Sequence, residues 1–113
     1  MKHIEKKLGQ HFLKDQKALA KVASVLEILP DDTIVEIGPG HGELTEHILK
    51  AVPKEVIAIE KDNALAKELK TLEKKFPILE IIHGDALEIL ETIPITYHLE
   101  PITYKLVGNV PYY

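Results

Sequence analysis

Two clusters in this chain have the residue types and spacing to do chemistry. The first is E-x-G-x-G-x-G, made by Glu36, Gly38, Gly40 and Gly42. Glycine accepts positive φ and lets the main chain come close to a ligand, and a helix starting just beyond it presents unpaired N–H groups. Glu60 follows 22 residues after Gly38. At that spacing an acidic residue on a strand end can accept hydrogen bonds from two ribose hydroxyls; the plainer alternative is a surface carboxylate beside Lys61. Asp85, in the run His83-Gly84-Asp85-Ala86, suits either an adenine amino group or the cap of a helix that begins there.

The second cluster is residues 108–113, GNVPYY. The exocyclic amine of adenine is a poor nucleophile because its lone pair is delocalised into the ring. The amide oxygen of Asn109, with the carbonyl of Val110 or Pro111, can accept both of its N–H bonds. That pulls the nitrogen toward sp³ character and aims its lone pair at an electrophile. Tyr112 can stack on an extruded base. In isolation Asn-Val-Pro-Tyr is only a turn; at a strand end behind a glycine loop it becomes a candidate reaction site.

These residues need elements to hold them. Apolar residues at 19, 22, 23, 25, 26 and 29 recur at helical spacing up to Pro30, so roughly residues 16–29 read as an amphipathic helix. Residues 33–37, TIVEI, are strand-like and run into the glycine loop, after which Leu44, Ile48 and Leu49 mark a second helix. Residues 56–59 form the next strand, Asp62 caps a Lys/Glu-rich helix to about Lys75, and residues 78–82 form a third strand. A short helix is expected over 86–91, an irregular stretch bracketed by Pro94 and Pro101, and a fourth strand over 104–107. Strands alternating with helices predict an α/β fold, with parallel strands, right-handed crossovers and helices on both faces.

Composition agrees with a folded chain. The 113 residues are 45% hydrophobic and 28% charged, which excludes disordered, collagen-like and coiled-coil classes. No apolar run approaches the ~20 residues of a membrane span and no signal-peptide core follows Met1, so the expectation is a cytoplasmic chain without a membrane partner. There is no cysteine, which removes thiol chemistry and disulfides. The net charge of −4 hides an asymmetry, because residues 1–25 hold six lysines and two acids while the remainder holds eight basic and sixteen acidic groups. A basic arm on an acidic body fits an anionic partner or a solvated helix face. Every cationic side chain is lysine, so arginine's bidentate fork is missing.

Residues 8–13 (LGQHFL), then VEIGPGHGELT, Glu60, Gly84-Asp85-Ala86 and GNVPYY together resemble the small-subunit ribosomal RNA adenine N6,N6-dimethyltransferases. The resemblance implies a Rossmann-like class I methyltransferase sheet with strand order 3-2-1-4, S-adenosyl-L-methionine as cofactor, and no metal. It implies that His11 and Leu13 line the methionine end of the donor, and that Gly38 and Gly40 belong to the glycine loop. Glu60 then holds the ribose, Asp85 the adenine, and Asn109, Pro111 and Tyr112 the reacting base, with Asn109 also bordering the donor. The implied partner is small-subunit ribosomal RNA, free or in the pre-ribosomal small subunit, dimethylated on two adjacent adenosines of a 3′-end hairpin. Lys2, Lys6, Lys7 and Lys14 are candidate phosphate contacts. His11 stands where Asn is also common in the family, and Val110 where Leu is usual.

Members of that family continue well beyond Asn-x-Pro-Tyr, so residues 1–113 are expected to be the N-terminal part of a methyltransferase domain, truncated after the fourth strand. Three other readings stand beside this one: a donor-binding or ribosome-assembly module without turnover, a large-subunit ribosomal RNA adenine dimethyltransferase, and a nicotinamide-dependent oxidoreductase. Glu43, where a dinucleotide fingerprint wants its third glycine, counts against the last.

Overall fold

The computed structural model describes residues 15–96 and 104–108. Their elements alternate: α1 (Gln16–Val25), β1 (Thr33–Ile37), α2 (Glu43–Lys50), β2 (Glu55–Glu60), α3 (Asn63–Lys75), β3 (Leu79–His83), α4 (Ala86–Thr96) and β4 (Tyr104–Gly108). The strands form one parallel sheet in the order β3-β2-β1-β4, matching the expected class and order. Each parallel step needs a crossover, and α2, α3 and α4 supply them.

Burial on both faces explains the unbroken apolar runs. Ile34, Val56, Ala58, Leu79 and Ile81 point into one core with Leu19 of α1, Leu44, Ile48 and Leu49 of α2, and Ala66 and Leu69 of α3. Val35, Ile57 and Ile59 point the other way, onto Ala86, Ile89 and Leu90 of α4. Each central strand therefore presents apolar side chains to both sides, as a covered parallel sheet requires.

Local signals set most helix starts. Asp15 Oδ1 accepts the N–H groups of Lys17 at 3.0 Å and Ala18 at 3.2 Å, and Asp62 Oδ1 accepts that of Leu65 at 3.0 Å. These side chains satisfy amides that have no partner within the helix. In α3, Lys74 and Lys75 close the last turn, where the helix dipole favours cations.

Among the boundaries that differ from expectation, three have a clear cause. α1 ends at Val25 rather than 29, because Glu27 adopts φ 49 and turns the chain back toward β1. The carbonyls of Leu26 and Glu27 accept hydrogen bonds from Lys105 Nζ of β4 at 2.8 and 2.7 Å. That tertiary contact replaces further helical turns. β3 is shifted one residue, ending at His83, because its register pairs His83 with Glu60. α4 runs to Thr96, so Pro94 lies inside it rather than bounding an irregular stretch. Asp85 starts this helix, Ile89 and Leu90 pack it on the sheet, and a proline near its end removes a single backbone bond.

The outer edge of β3 is blunted. Ile81 N–H donates to Glu73 Oε2 at 2.7 Å, and Lys70 Nζ donates to the Ile81 carbonyl at 3.4 Å. Side chains of α3 thus occupy groups that another strand would use.

Replacing a core residue should separate the packing from the surface. Ile48→Ala, at a fully buried position, is expected to lower stability by about 2–5 kcal/mol in urea titration. Leu87→Ala, where the leucine is 78% exposed, should stay within about 0.5 kcal/mol.

Candidate functional site

In-register pairing brings four strand ends to one edge of the sheet. Ile37 is opposite both Ile59 and Gly108, and Glu60 is opposite His83. The turns that follow are stitched together. Gly38 N–H donates to the Ile59 carbonyl at 2.9 Å, and Gly84 N–H to the Glu60 carbonyl at 3.0 Å. Gly38, Glu60 and Asp85 therefore meet at the carboxyl ends of the strands, where open α/β sheets bind ligands.

The glycine loop needs its glycines for two reasons. Gly40 has φ 62, and a Cβ added there would meet nothing within 4 Å, so the loop borders open space. Gly42 has φ 90, and a Cβ there would press on Leu69 at 3.2 Å and Leu72 at 3.3 Å of α3. The first glycine leaves room for a ligand and the second lets the loop pack onto its neighbour helix. Gly42 is the N-cap of α2, and among the described residues no side chain caps that helix.

Glu60 is 6% exposed, so it is not the surface carboxylate considered above. Its Oε1 accepts Gly40 N–H at 3.0 Å and its Oε2 accepts Asp62 N–H at 2.9 Å. A carboxylate has about four acceptor directions, so two such bonds leave capacity for a pair of hydroxyls. The same bonds hold the glycine loop against the end of β2. Asp85 performs the capping role: Oδ1 accepts Leu87 N–H at 2.9 Å, and its carbonyl accepts those of Glu88 and Ile89.

The sequence motif contained a second carboxylate whose role it did not reveal. Glu36 lies within β1 and is fully buried. Thr45 Oγ1 of α2 donates to its Oε1 at 2.5 Å, while Oε2 has no hydrogen-bond partner among the described residues. Burial pushes this carboxyl up to about 7, the Thr45 bond opposes the rise, and the charges of Glu43 and Glu60 add to it. An isolated glutamate in an otherwise apolar strand was the available signal.

His11, Leu13, Asn109, Pro111 and Tyr112 lie outside the described residues, as do the four candidate phosphate-contacting lysines. Asn109 is the next residue in the chain after Gly108 of β4. Of the other histidines, His41 Nδ1 pairs with Glu68 Oε2 at 2.9 Å on the surface, and His47 Nε2 lies 2.9 Å from Gln16 Oε1. A groove of about 570 Å³ lined by Lys54, Glu55, Lys70, Glu73 and residues 77–81 opens at the opposite ends of β2 and β3. Its location separates it from the strand-end cluster.

Residues 1–113 match the family described as ribosomal RNA adenine dimethylase. The chain belongs to that family. A ribosomal RNA small subunit methyltransferase A from Dehalococcoides mccartyi is 44% identical over 108 residues, covering 96% of this chain and 36% of the relative. Among solved structures, a dimethyladenosine transferase from Plasmodium falciparum superposes with TM-score 0.67 at 30% identity, over 88% of this chain and 33% of that one. A 23S rRNA methyltransferase superposes with TM-score 0.64 at 27% identity, over 84% and 46%. The chain thus spans little more than a third of the length of the small-subunit relative. For the ribosomal RNA adenine dimethylase family, the four-strand sheet with helices on both faces is a Rossmann-like methyltransferase architecture.

The buried Glu36 carboxyl gives a pH signature. The folded group keeps its proton to about 7, whereas the ordinary value is 4.5, so between those values the native state binds more protons and stability falls as pH rises. Glu36→Gln should remove that contribution. The stability of wild type relative to Glu36→Gln is expected to fall between about pH 5 and about pH 7, at no more than about 1.4 kcal/mol per unit, and then level off. A difference unchanged across that range in paired urea titrations would show the carboxyl ionised throughout.

Proposed function

We propose that this chain is the donor-binding N-terminal part of a cytoplasmic enzyme that dimethylates N6 of two adjacent adenosines in a 3′-end hairpin of small-subunit ribosomal RNA. The single observation that carries the reading is family membership across residues 1–113. The strand-end cluster of Gly38, Gly40, Glu60 and Asp85 supports it, since its polar groups and open space suit a nucleoside. S-adenosyl-L-methionine supplies, when bound, a methyl group on a sulfonium, a leaving group good enough for in-line transfer without a metal.

The chain's own residues then divide the work. Gly38 and Gly40 let the main chain approach the donor, Glu60 accepts from the ribose hydroxyls, and Asp85 accepts from the adenine amino group. His11 and Leu13 enclose the methionine end. The Asn109 amide oxygen, with the carbonyl of Val110 or Pro111, accepts the N–H bonds of the target amine and orients its lone pair. Tyr112 stacks on the target base, which is accessible because single-stranded loop bases can be splayed out. The partner is small-subunit ribosomal RNA, free or in the pre-ribosomal small subunit.

The 23S rRNA methyltransferase structure raises a large-subunit substrate as a second reading. Identity favours the small subunit, at 44% to the Dehalococcoides protein against 27% to the 23S enzyme.

Two experiments test this assignment. Labelled methyl transfer to small-subunit RNA should be detected, and Asn109→Ala should reduce it by about 10²-fold or more, the scale of losing a transition-state donor or orienting group. Donor binding without any incorporation would reject catalysis by the chain; preferential incorporation into large-subunit RNA would select the second reading. Separately, Gly40→Ala should weaken S-adenosylhomocysteine binding in calorimetric titration by about tenfold or more, while backbone strain costs only about 1–2 kcal/mol of stability. NADH should not bind to either protein.

A further inference from the structure

Among the described residues, one ammonium group ties β4 to the end of α1 and to the lead into β1. Lys105 sits in β4 opposite Ile34 of β1. Its Nζ donates to the Leu26 carbonyl at 2.8 Å and the Glu27 carbonyl at 2.7 Å, and it lies 2.9 Å from Asp32 Oδ2. Three acceptors match the three protons of an ammonium. Two of them are carbonyls at the C-terminal end of α1, where a cation is favoured.

Asp32 extends the clamp. Its Oδ2 also accepts Leu29 N–H at 2.7 Å, its N–H donates to the Leu29 carbonyl, and its own carbonyl accepts Lys54 N–H at 2.9 Å in front of β2. The Lys105 bond, followed by that from Leu29, holds the Asp32 carboxyl below its ordinary value. The two side chains are only 32% and 19% exposed, so solvent screens the pair less than a surface ion pair.

The elements joined here lead to opposite sides of the proposed reaction. α1 follows His11 and Leu13 in the chain, and β4 runs directly into Asn109. The other end of α1 is tied to α2 through Gln16 and His47, and Leu19 seats it in the core. We propose that Lys105 is a positioning residue: by joining β4 to the end of α1 and to the lead into β1, it holds the strand that leads into Asn109 in one placement relative to α1. The role is distinct from stability in general, because β4 already has its register from β1. The clamp adds a tie from β4 to a helix outside that pairing. This inference rests on the proposed methyl transfer, in which Lys105 itself touches no substrate.

The test compares wild type, Lys105→Met and Lys105→Arg in the chain of residues 1–113. Lys105→Met keeps the length of the side chain and removes its charge. Its kcat for methyl transfer to small-subunit RNA is expected to fall by about tenfold or more, because a displacement of about 1 Å can cost about 10²-fold. S-adenosylhomocysteine affinity and RNA KM should change by less than about threefold, since uniform binding is untouched. Amide exchange at residues 26–29 and 104–108 should quicken together by about tenfold, with α3 unchanged. Lys105→Arg, which retains a cation, should restore most of both effects.

Unchanged kcat in Lys105→Met would overturn the proposal. So would a fall in donor affinity matching that in kcat, or exchange quickening equally across the sheet, since either describes plain destabilisation. A wild-type chain that transfers no methyl overturns the reaction and the positioning role with it. That result is distinguishable from failure of the clamp alone, which leaves wild type active and the variants no worse.

Discussion

Parallel pairing on both sides of β1 is the constraint on which the structure depends. Thr33 to Ile37 align residue for residue with β2 on one side and β4 on the other. Parallel strands all end at the same edge, and each must return by a crossover that covers a sheet face. The pairing therefore produces two results at once. Helices bury both faces, and the turns carrying Gly38, Glu60 and Asp85 converge.

That convergence places polar groups in an otherwise apolar environment. Glu36 introduces a carboxyl into the middle of β1 with Thr45 as its single partner among the described residues. A buried carboxyl with one unsatisfied oxygen is costly, and protonation is the response that burial drives. Glu60 solves the same problem differently, by accepting two backbone N–H groups that also fasten the glycine loop. The two acids are close in chain position relative to their strand ends, yet burial raises the proton affinity of one and backbone amides hold the other at the rim.

The edges of the sheet show a similar division. At β3, Glu73 and Lys70 bond both main-chain groups of Ile81, and at β4, Lys105 reaches across to α1 and Asp32. Both devices use side chains whose charged heads meet backbone polar groups. Neither can be seen from spacing. Lys105 and Leu26 are 79 residues apart, so no local rule connects the lysine to the end of α1. The same contact is why the apolar periodicity running to residue 29 overstates the helix. Pro94 misled for the converse reason: its local meaning as a breaker is outweighed by Asp85 at the start of α4 and by Ile89 and Leu90 on the sheet.

The sequence by itself determined the order and type of the elements, because apolar period, the cap at Asp62, and glycines at the loop are local properties that the backbone obeys wherever the chain is. It also identified Gly38, Gly40, Glu60 and Asp85 as a candidate set, since their positions at strand ends follow from those elements. Only the tertiary structure decided that Glu60 is buried and bonded to the loop, that Asp85 caps α4, that burial raises the Glu36 carboxyl, and that Lys105 bonds the end of α1. Burial, proton affinity and long-range hydrogen bonds depend on which groups packing brings within about 3 Å, and the linear order of residues does not contain that distance.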